Sequence, residues 1–343
     1  MKNTIYSIQF LRGFAAALVL LTHVRLETGL SMYGGAGVDL FFVISGFVIF
    51  FVTESDKSNF LIKRVIRVVP LYWLATFCVA AVAIAAPSLL KNAEFSLQHL
   101  LLSLIFVPHW TTTQEFQPLL GLGWTLNFEM MFYLLFAIAM RISHRHRFEI
   151  ASSLVVALML LATLAVPEGA GFGLEFYKSS LMLEFIMGMA IAKAFLAHRN
   201  QFSTSRPFLM ISLSMISFLL MTAVLPFDDR ILDHGLIAAF LLAACLAGEA
   251  LFASRGWLKR LSVISGEMSY SLYLLHIYVL AVLSRLLHLE GWMLWVLSFT
   301  LIPALAWFTY HTVELTATRV LRRLVLARPV AQPPAPQPTQ AGV

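Results

Sequence analysis

Residues 8 to 47 read IQFLRGFAAALVLLTHVRLETGLSMYGGAGVDLFFVISGF, and the fold turns on how this stretch is read. Two apolar runs, each of bilayer-spanning length with its flanks, are joined by a Gly-rich hinge. Both carry ionisable residues: Arg12 within the first, His23 at its far end, and Asp39 at the opening of the second. Charge inside a span is costly, so such residues are functional candidates. Arg12 and His23 are 11 positions apart. Eleven steps of about 100° make about three full turns, which puts both side chains on one side of a helix, roughly 16 Å apart along its axis.

The rest of the composition agrees with a membrane fold. Of 343 residues, 59% are hydrophobic and 12% charged, and the mean hydropathy is +0.82. A soluble domain is about a quarter charged, so the expectation is an all-α polytopic membrane protein. The net charge of +6 does not point to nucleic acid, because the basic residues fall in short loops between apolar runs, where topology accounts for them. Lys2 and the run Phe14 to Leu21 resemble a signal peptide. Arg12 and Gly13 interrupt that run and no small-x-small cleavage site follows, so it reads as the first span. Cys78 and Cys245 lie in apolar runs, offer no metal spacing or disulfide framework, and read as small buried residues.

Runs of spanning length fall near 5–24, 36–53, 70–87, 119–140, 149–166, 180–197, 208–225, 233–253, 269–286 and 292–312, which predicts about ten transmembrane helices. A shorter run near 97–107 ends in Pro108, His109 and Trp110 and reads as re-entrant or interfacial. With both termini cytoplasmic, seventeen Lys and Arg fall in inner segments and five in outer ones, leaving Arg12 and Lys193 within spans. Counting 97–107 as a span would reverse every later loop and put the basic ones outside, against the positive-inside rule. The expected organisation is one transmembrane domain over 1–326 and a Pro-rich, disordered tail over 327–343. No fused extramembrane domain is expected.

Several constellations carry chemistry, each with a plainer reading beside it. His23 alone is an interfacial histidine. With Asp39 expected near the same outer surface it becomes a candidate general base, since a carboxylate fixes an imidazole's tautomer and raises its basicity. Gly34, Gly35 and Gly37 make a turn, or let backbone approach a substrate closely. Arg64 and Arg67, beside Lys63, satisfy the positive-inside rule, yet their i, i+3 spacing also suits a clamp on the phosphates of a cytoplasmic cofactor. Glu129 lies near mid-span with Tyr133 one turn on. An intramembrane carboxylate needs a partner or a proton, and Arg12 is one candidate partner. Ser269, Tyr273 and His276 form one helical stripe, which is either helix–helix glue or part of a site. No metal-ligand spacing is present.

Taken together these blocks resemble the acyltransferase family 3 of bacterial membrane proteins. The resemblance rests on Arg-x10-His (Arg12, His23), the glycine block Gly34 to Phe47, the Arg-x-x-Arg-x-x-Pro segment (Arg64, Arg67, Pro70), the block Trp124 to Tyr133, and SYSLYLLH (Ser269 to His276). It implies transfer of an acetyl or other short acyl group from cytoplasmic acetyl-CoA to a hydroxyl of a cell-surface polysaccharide or glycoside, at a bacterial inner membrane. His23, Asp39, Arg12 and Glu129 would be catalytic. Lys63, Arg64 and Arg67 would hold the CoA phosphates. Gly34, Gly35, Gly37, Ser45, Trp124, Tyr133, Tyr273 and His276 would meet the substrate. The implied partners are the lipid bilayer, acyl-CoA and a saccharide acceptor, with no metal and no nucleic acid. Two departures are visible: Met130 stands where the family often has a second acid, and Leu315-Thr316 follow Val313-Glu314 where V-E-x-P is common. A carrier or flippase for a lipid-linked saccharide is the other open reading, since buried charges among many spans also suit transport.

Overall fold

The computed structural model describes residues 4–29, 35–86, 95–110, 116–169, 173–199, 202–224 and 234–326. The tail expected over 327–343 lies outside them. Among the described residues the fold is all helical, apart from one isolated bridge between Trp110 and Phe116. Helix is what such runs must form in lipid, where each backbone N–H and C=O needs a partner within its own segment.

In chain order the helices are α1 (Tyr6–Glu27), α2 (Ala36–Ser55), α3 (Phe60–Ala85), α4 (Leu97–Leu104), α5 (Trp124–Ile142), α6 (Arg147–Ala165), α7 (Leu181–Ala197), α8 (Pro207–Val224), α9 (Leu236–Ala247), α10 (Glu249–Ser254), α11 (Gly256–Ala281), α12 (Gly291–Thr309) and α13 (Leu315–Leu326). A π-helical turn extends α11 and another joins α12 to α13. Seven helical stretches among the described residues are long and apolar enough to cross a membrane, which marks a multi-pass membrane protein. They are α1, α2, α3, α5 with the turn before it, α6, α11 with its extension, and α12 with α13. Seven is fewer than the ten expected. The other three expected runs fall on α7, with 17 residues, on α8, and on α9, which has only 12 because the run over 233–253 breaks at Gly248 into α9 and α10. α4, over the run expected to be re-entrant or interfacial, has 8 residues and is capped by Ser96, whose side chain accepts from the His99 amide.

Two boundaries differ instructively. The sequence pattern puts Arg64 and Arg67 in a loop ahead of a span that opens at Pro70, but α3 begins at Phe60 and carries Pro70 inside it. Lys259 and Arg260 likewise ride on the start of α11. Basic residues at a span's end look like loop in composition while their backbone is helical. Cys245 is buried as expected, whereas Cys78 is exposed on the side of α3.

α2 lies at the centre: 72% of its apolar window is buried, against 17% for α6. Between helices in lipid there is little hydrophobic drive, so close packing of small residues has to hold them. α2 and α7 meet backbone to backbone. A Cβ on Gly46 would lie 2.1 Å from the Phe185 carbonyl oxygen, and one on Gly188 would lie 2.0 Å from that of Val43. Around this crossing Phe185 stacks on Phe132 with centroids 4.4 Å apart and tilts against Phe42 at 4.8 Å.

α1 and α11 run side by side in the same direction. Their contacts fall in order along both: Arg12 to Ser269, His23 to His276, Glu27 to Arg285. The first amides of α1, Tyr6 and Ser7, each donate at 2.8 Å to the carboxylate of Glu249 on α10. A charge from a distant element thus serves donors that every helix start leaves open. At the other end of α2, buried Arg147 pairs with Glu54 at 2.5 Å and lies over the Phe50 ring. That contact ties the end of α2 to the start of α6 at one end of the bundle, opposite Glu27 and Arg285.

Candidate active site

The organising feature is a cavity of about 990 Å³ that follows α2 from Val38 to Asp56. Eighteen residues of helix rise roughly 27 Å, so the cavity runs most of the way through the bundle. One end is basic. Lys63, Arg64 and Arg67 of α3, Arg199 beyond α7 and Arg322 of α13 all line it. The middle holds Arg12, Ser45, Glu129 and Tyr133, and the far end holds Phe41, Thr125 and Tyr273.

Each basic residue sits differently. Lys63 donates to Asp56 at 2.6 Å and to Ser58 at 3.2 Å, and the ammonium holds the Asp56 carboxyl below its usual range. Arg67 is 3.7 Å from buried Glu314, whose other oxygen accepts from Ser271 at 2.8 Å. Arg64 lies over the Phe60 ring and has no ion pair among the described residues. Of the three, Arg64 is the guanidinium with the least to give up on taking a phosphate.

In the middle, Glu129 and Arg12 face the same space without pairing. Glu129 Oε1 accepts from Ser45 at 3.1 Å and also from the Tyr133 hydroxyl. Arg12 instead donates to Ser269 at 3.0 Å and to Gln9 at 3.3 Å. Arg12, one candidate partner for Glu129, does not pair with it; each has neutral partners instead, which leaves a cation and a carboxyl facing one cavity.

At the far end Tyr273 hydrogen-bonds Thr125 at 2.8 Å and meets the Phe41 ring edge-on. Its own ring lies 6.0 Å from that of His276. His276 is fully buried, and its Nε2 stands 3.2 Å from His23 Nδ1. His23 is only partly buried. Arg12 and His23 thus share the face that their spacing assigned them, both toward α11.

Other expected residues are placed elsewhere. The hydrogen bonds at the His23 ring go to Val19 and His276, so the carboxylate expected to orient it is not there. Asp39 is fully buried in the first turn of α2, where a helix's positive end favours an acid. Gly37 packs against α1, since a Cβ there would meet the Ala15 carbonyl and the Val19 side chain, each at 2.7 Å. Gly35 caps α2. Gly34 lies outside the described residues. Trp124 opens α5 edge-on to Phe128 and does not line the cavity. His276 was expected to meet substrate, but a buried ring with both nitrogens engaged offers it no edge.

Sequence reasoning gives no site role to Arg199, Arg322, Gln9 or Glu314, the last noted only for the residues that follow it. The first two were absorbed into the topological count. Glu314 carried a signal, a lone acid ending an apolar run.

Residues 5–311 match the acyltransferase domain family. The chain belongs to it. Comparison with characterised proteins agrees. The exopolysaccharide production protein ExoZ of Rhizobium meliloti is 34% identical over 274 residues, covering 78% of this chain and 83% of that protein. Nodulation protein 10 of Rhizobium leguminosarum is 24% identical over 93% of this chain and 94% of its own. The O-acetyltransferase OatA of Staphylococcus aureus is 25% identical over 89% of this chain and 55% of its own. No solved structure matches. The protein is therefore an acyltransferase, and a carrier without chemistry is not the primary reading.

Proposed function

We propose that this acyltransferase takes an acetyl or other short acyl group from acyl-CoA on the cytoplasmic side and passes it to a hydroxyl of a surface saccharide on the outer side of a bacterial inner membrane. The observation that carries the reading is the cavity, which begins among five cations and ends at Tyr273, next to the histidine pair. Its size suits an elongated cofactor. Arg64 would hold CoA phosphates first, with Arg67 and Lys63 joining as their carboxylate contacts loosen. The pantetheine arm would run past Arg12 and Glu129, and the thioester would reach the space beside His23. The positive-inside distribution of the loops supports this direction. ExoZ and OatA, by their names, act in exopolysaccharide production and O-acetylation, which supports a saccharide hydroxyl as acceptor.

The chemistry is a single acyl exchange. The acceptor hydroxyl oxygen attacks the thioester carbonyl, and His23 takes its proton on Nε2. The C–S bond then breaks, and the CoA thiolate leaves and is protonated by His23. The Ala36 and Gly37 amides, ahead of the first hydrogen bond of α2 from Val38 to Gly35, are suited to the developing oxyanion. The test uses membrane vesicles supplied with labelled acetyl-CoA, scored for alkali-labile acetyl on their glycans. Wild type is expected to transfer label and His23→Ala to lose it by about 10²–10⁴-fold. Equal transfer by both would refute His23 as the base.

A further inference from the structure

The buried partner of His23 has no role yet. The protons on its ring follow from the partners of each nitrogen, because carbonyl oxygens only accept. His276 Nδ1 is 2.7 Å from the Tyr273 carbonyl oxygen and 3.3 Å from that of Leu272, so Nδ1 carries a proton. His23 Nδ1 is 2.9 Å from the Val19 carbonyl oxygen, so it carries one too. His276 Nε2 faces that second proton at 3.2 Å. A proton on Nε2 as well would set two N–H groups head to head and leave a cation in a fully buried ring. The consistent arrangement has a lone pair on His276 Nε2 and leaves the lone pair of His23 on its own Nε2.

We propose that His276 is a positioning residue for acyl transfer: its Nε2 shares the Nδ1–H of His23 with the Val19 carbonyl oxygen, sets the turn of that ring, and bears on the charge His23 gains when it takes the acceptor's proton. The inference rests on the reading of His23 as base. In that frame a neutral imidazole does what a carboxylate does in the familiar triad. It suits this place because an imidazole brings no negative charge into the bundle that would need its own partner. The backbone holds it. The Tyr273 carbonyl that anchors His276 belongs to the residue whose ring closes the cavity, so cavity end and base are tied through one turn of α11.

The test compares His276→Gln, His276→Asn and His276→Leu at equal membrane amounts, with labelled acetyl-CoA and the vesicle glycans as acceptor. Gln can place an oxygen near the position of Nε2, whereas Asn is too short and Leu has no acceptor. The expected result for Leu and Asn is a fall in kcat on the order of 10–100-fold with the KM for acetyl-CoA little changed, since misplacing a catalytic group by about 1 Å can cost 10²-fold. Gln is expected to recover most of the rate. In a His23→Ala background the same substitutions should cost nothing further, because residues that act as a unit are non-additive. Full activity in Leu, or equal losses in Gln and Leu, would overturn the proposal and leave the His23 reading intact. Full activity in His23→Ala alone would instead overturn that reading. If Leu does not accumulate in membranes, the contrast between Gln and Asn decides.

Discussion

Arg64 and Lys63 are neighbours in the chain with different commitments. Lys63 is held by Asp56 and Ser58 at the surface, while Arg64 has only an aromatic ring beneath it. Losing one charge-assisted hydrogen bond costs about 1.5–3 kcal/mol, so Arg64→Ala is expected to raise the KM for acetyl-CoA roughly 10–100-fold. Lys63→Ala must first forfeit an exposed ion pair worth little, and its effect should stay within a few-fold. Steady-state kinetics on vesicles separates the two, and equal effects would mean that both residues serve topology alone. Arg12 is a second residue-scale case. Its guanidinium reaches Ser269 and Gln9 at once. A lysine has the charge but not the fork. Arg12→Lys is therefore expected to lower transfer by about tenfold or more, the equivalent of one lost charged hydrogen bond, with membrane amounts held equal.

The crossing of α2 and α7 is the element on which the cavity wall depends. Gly46→Ala puts a methyl into the Phe185 carbonyl, and overpacking of this kind costs about 1–3 kcal/mol. Thermal unfolding in detergent should show a lower Tm for Gly46→Ala and almost none of that change for Gly256→Ala, whose Cβ would meet nothing within 4 Å. At this scale the sequence was readable wherever one residue's neighbours decide the outcome. Apolar length announced the helices, and the 11-residue step from Arg12 to His23 announced their common face. Helix starts at Phe60 and Gly256 were hidden because basic residues at a span's end have loop-like composition. The His23–His276 contact was hidden for another reason. It joins residues 253 positions apart, and no local pattern says that α1 and α11 lie side by side. Asp39 misled because closeness to the outer surface is a weaker statement than contact. The conformation of its own helix start was enough to account for an acid there.

For the whole molecule the testable claim is orientation. Exposed Arg145, between α5 and α6, is expected inside, and exposed Glu290, before α12, outside. In a Cys78→Ser background, Glu290→Cys should label with an impermeant maleimide in intact cells, and Arg145→Cys should label only after the membrane is opened. The reverse pattern would put the basic mouth of the cavity outside and end the acyl-CoA reading. That mouth has one more consequence. With that mouth inside, Lys63, Arg64, Arg67, Arg199 and Arg322, which line the cavity, would stand at the level of the inner-leaflet headgroups, with Arg319 and Arg323 exposed on the same α13. Each basic side chain near an anionic leaflet is attracted to it by about 1 kcal/mol. On the proposed function, phospholipid headgroups and donor phosphates would be rivals for the same cations. The bilayer would then act as a competitive inhibitor present at enormous local concentration, and richer anionic lipid should raise the apparent KM for acetyl-CoA without touching kcat.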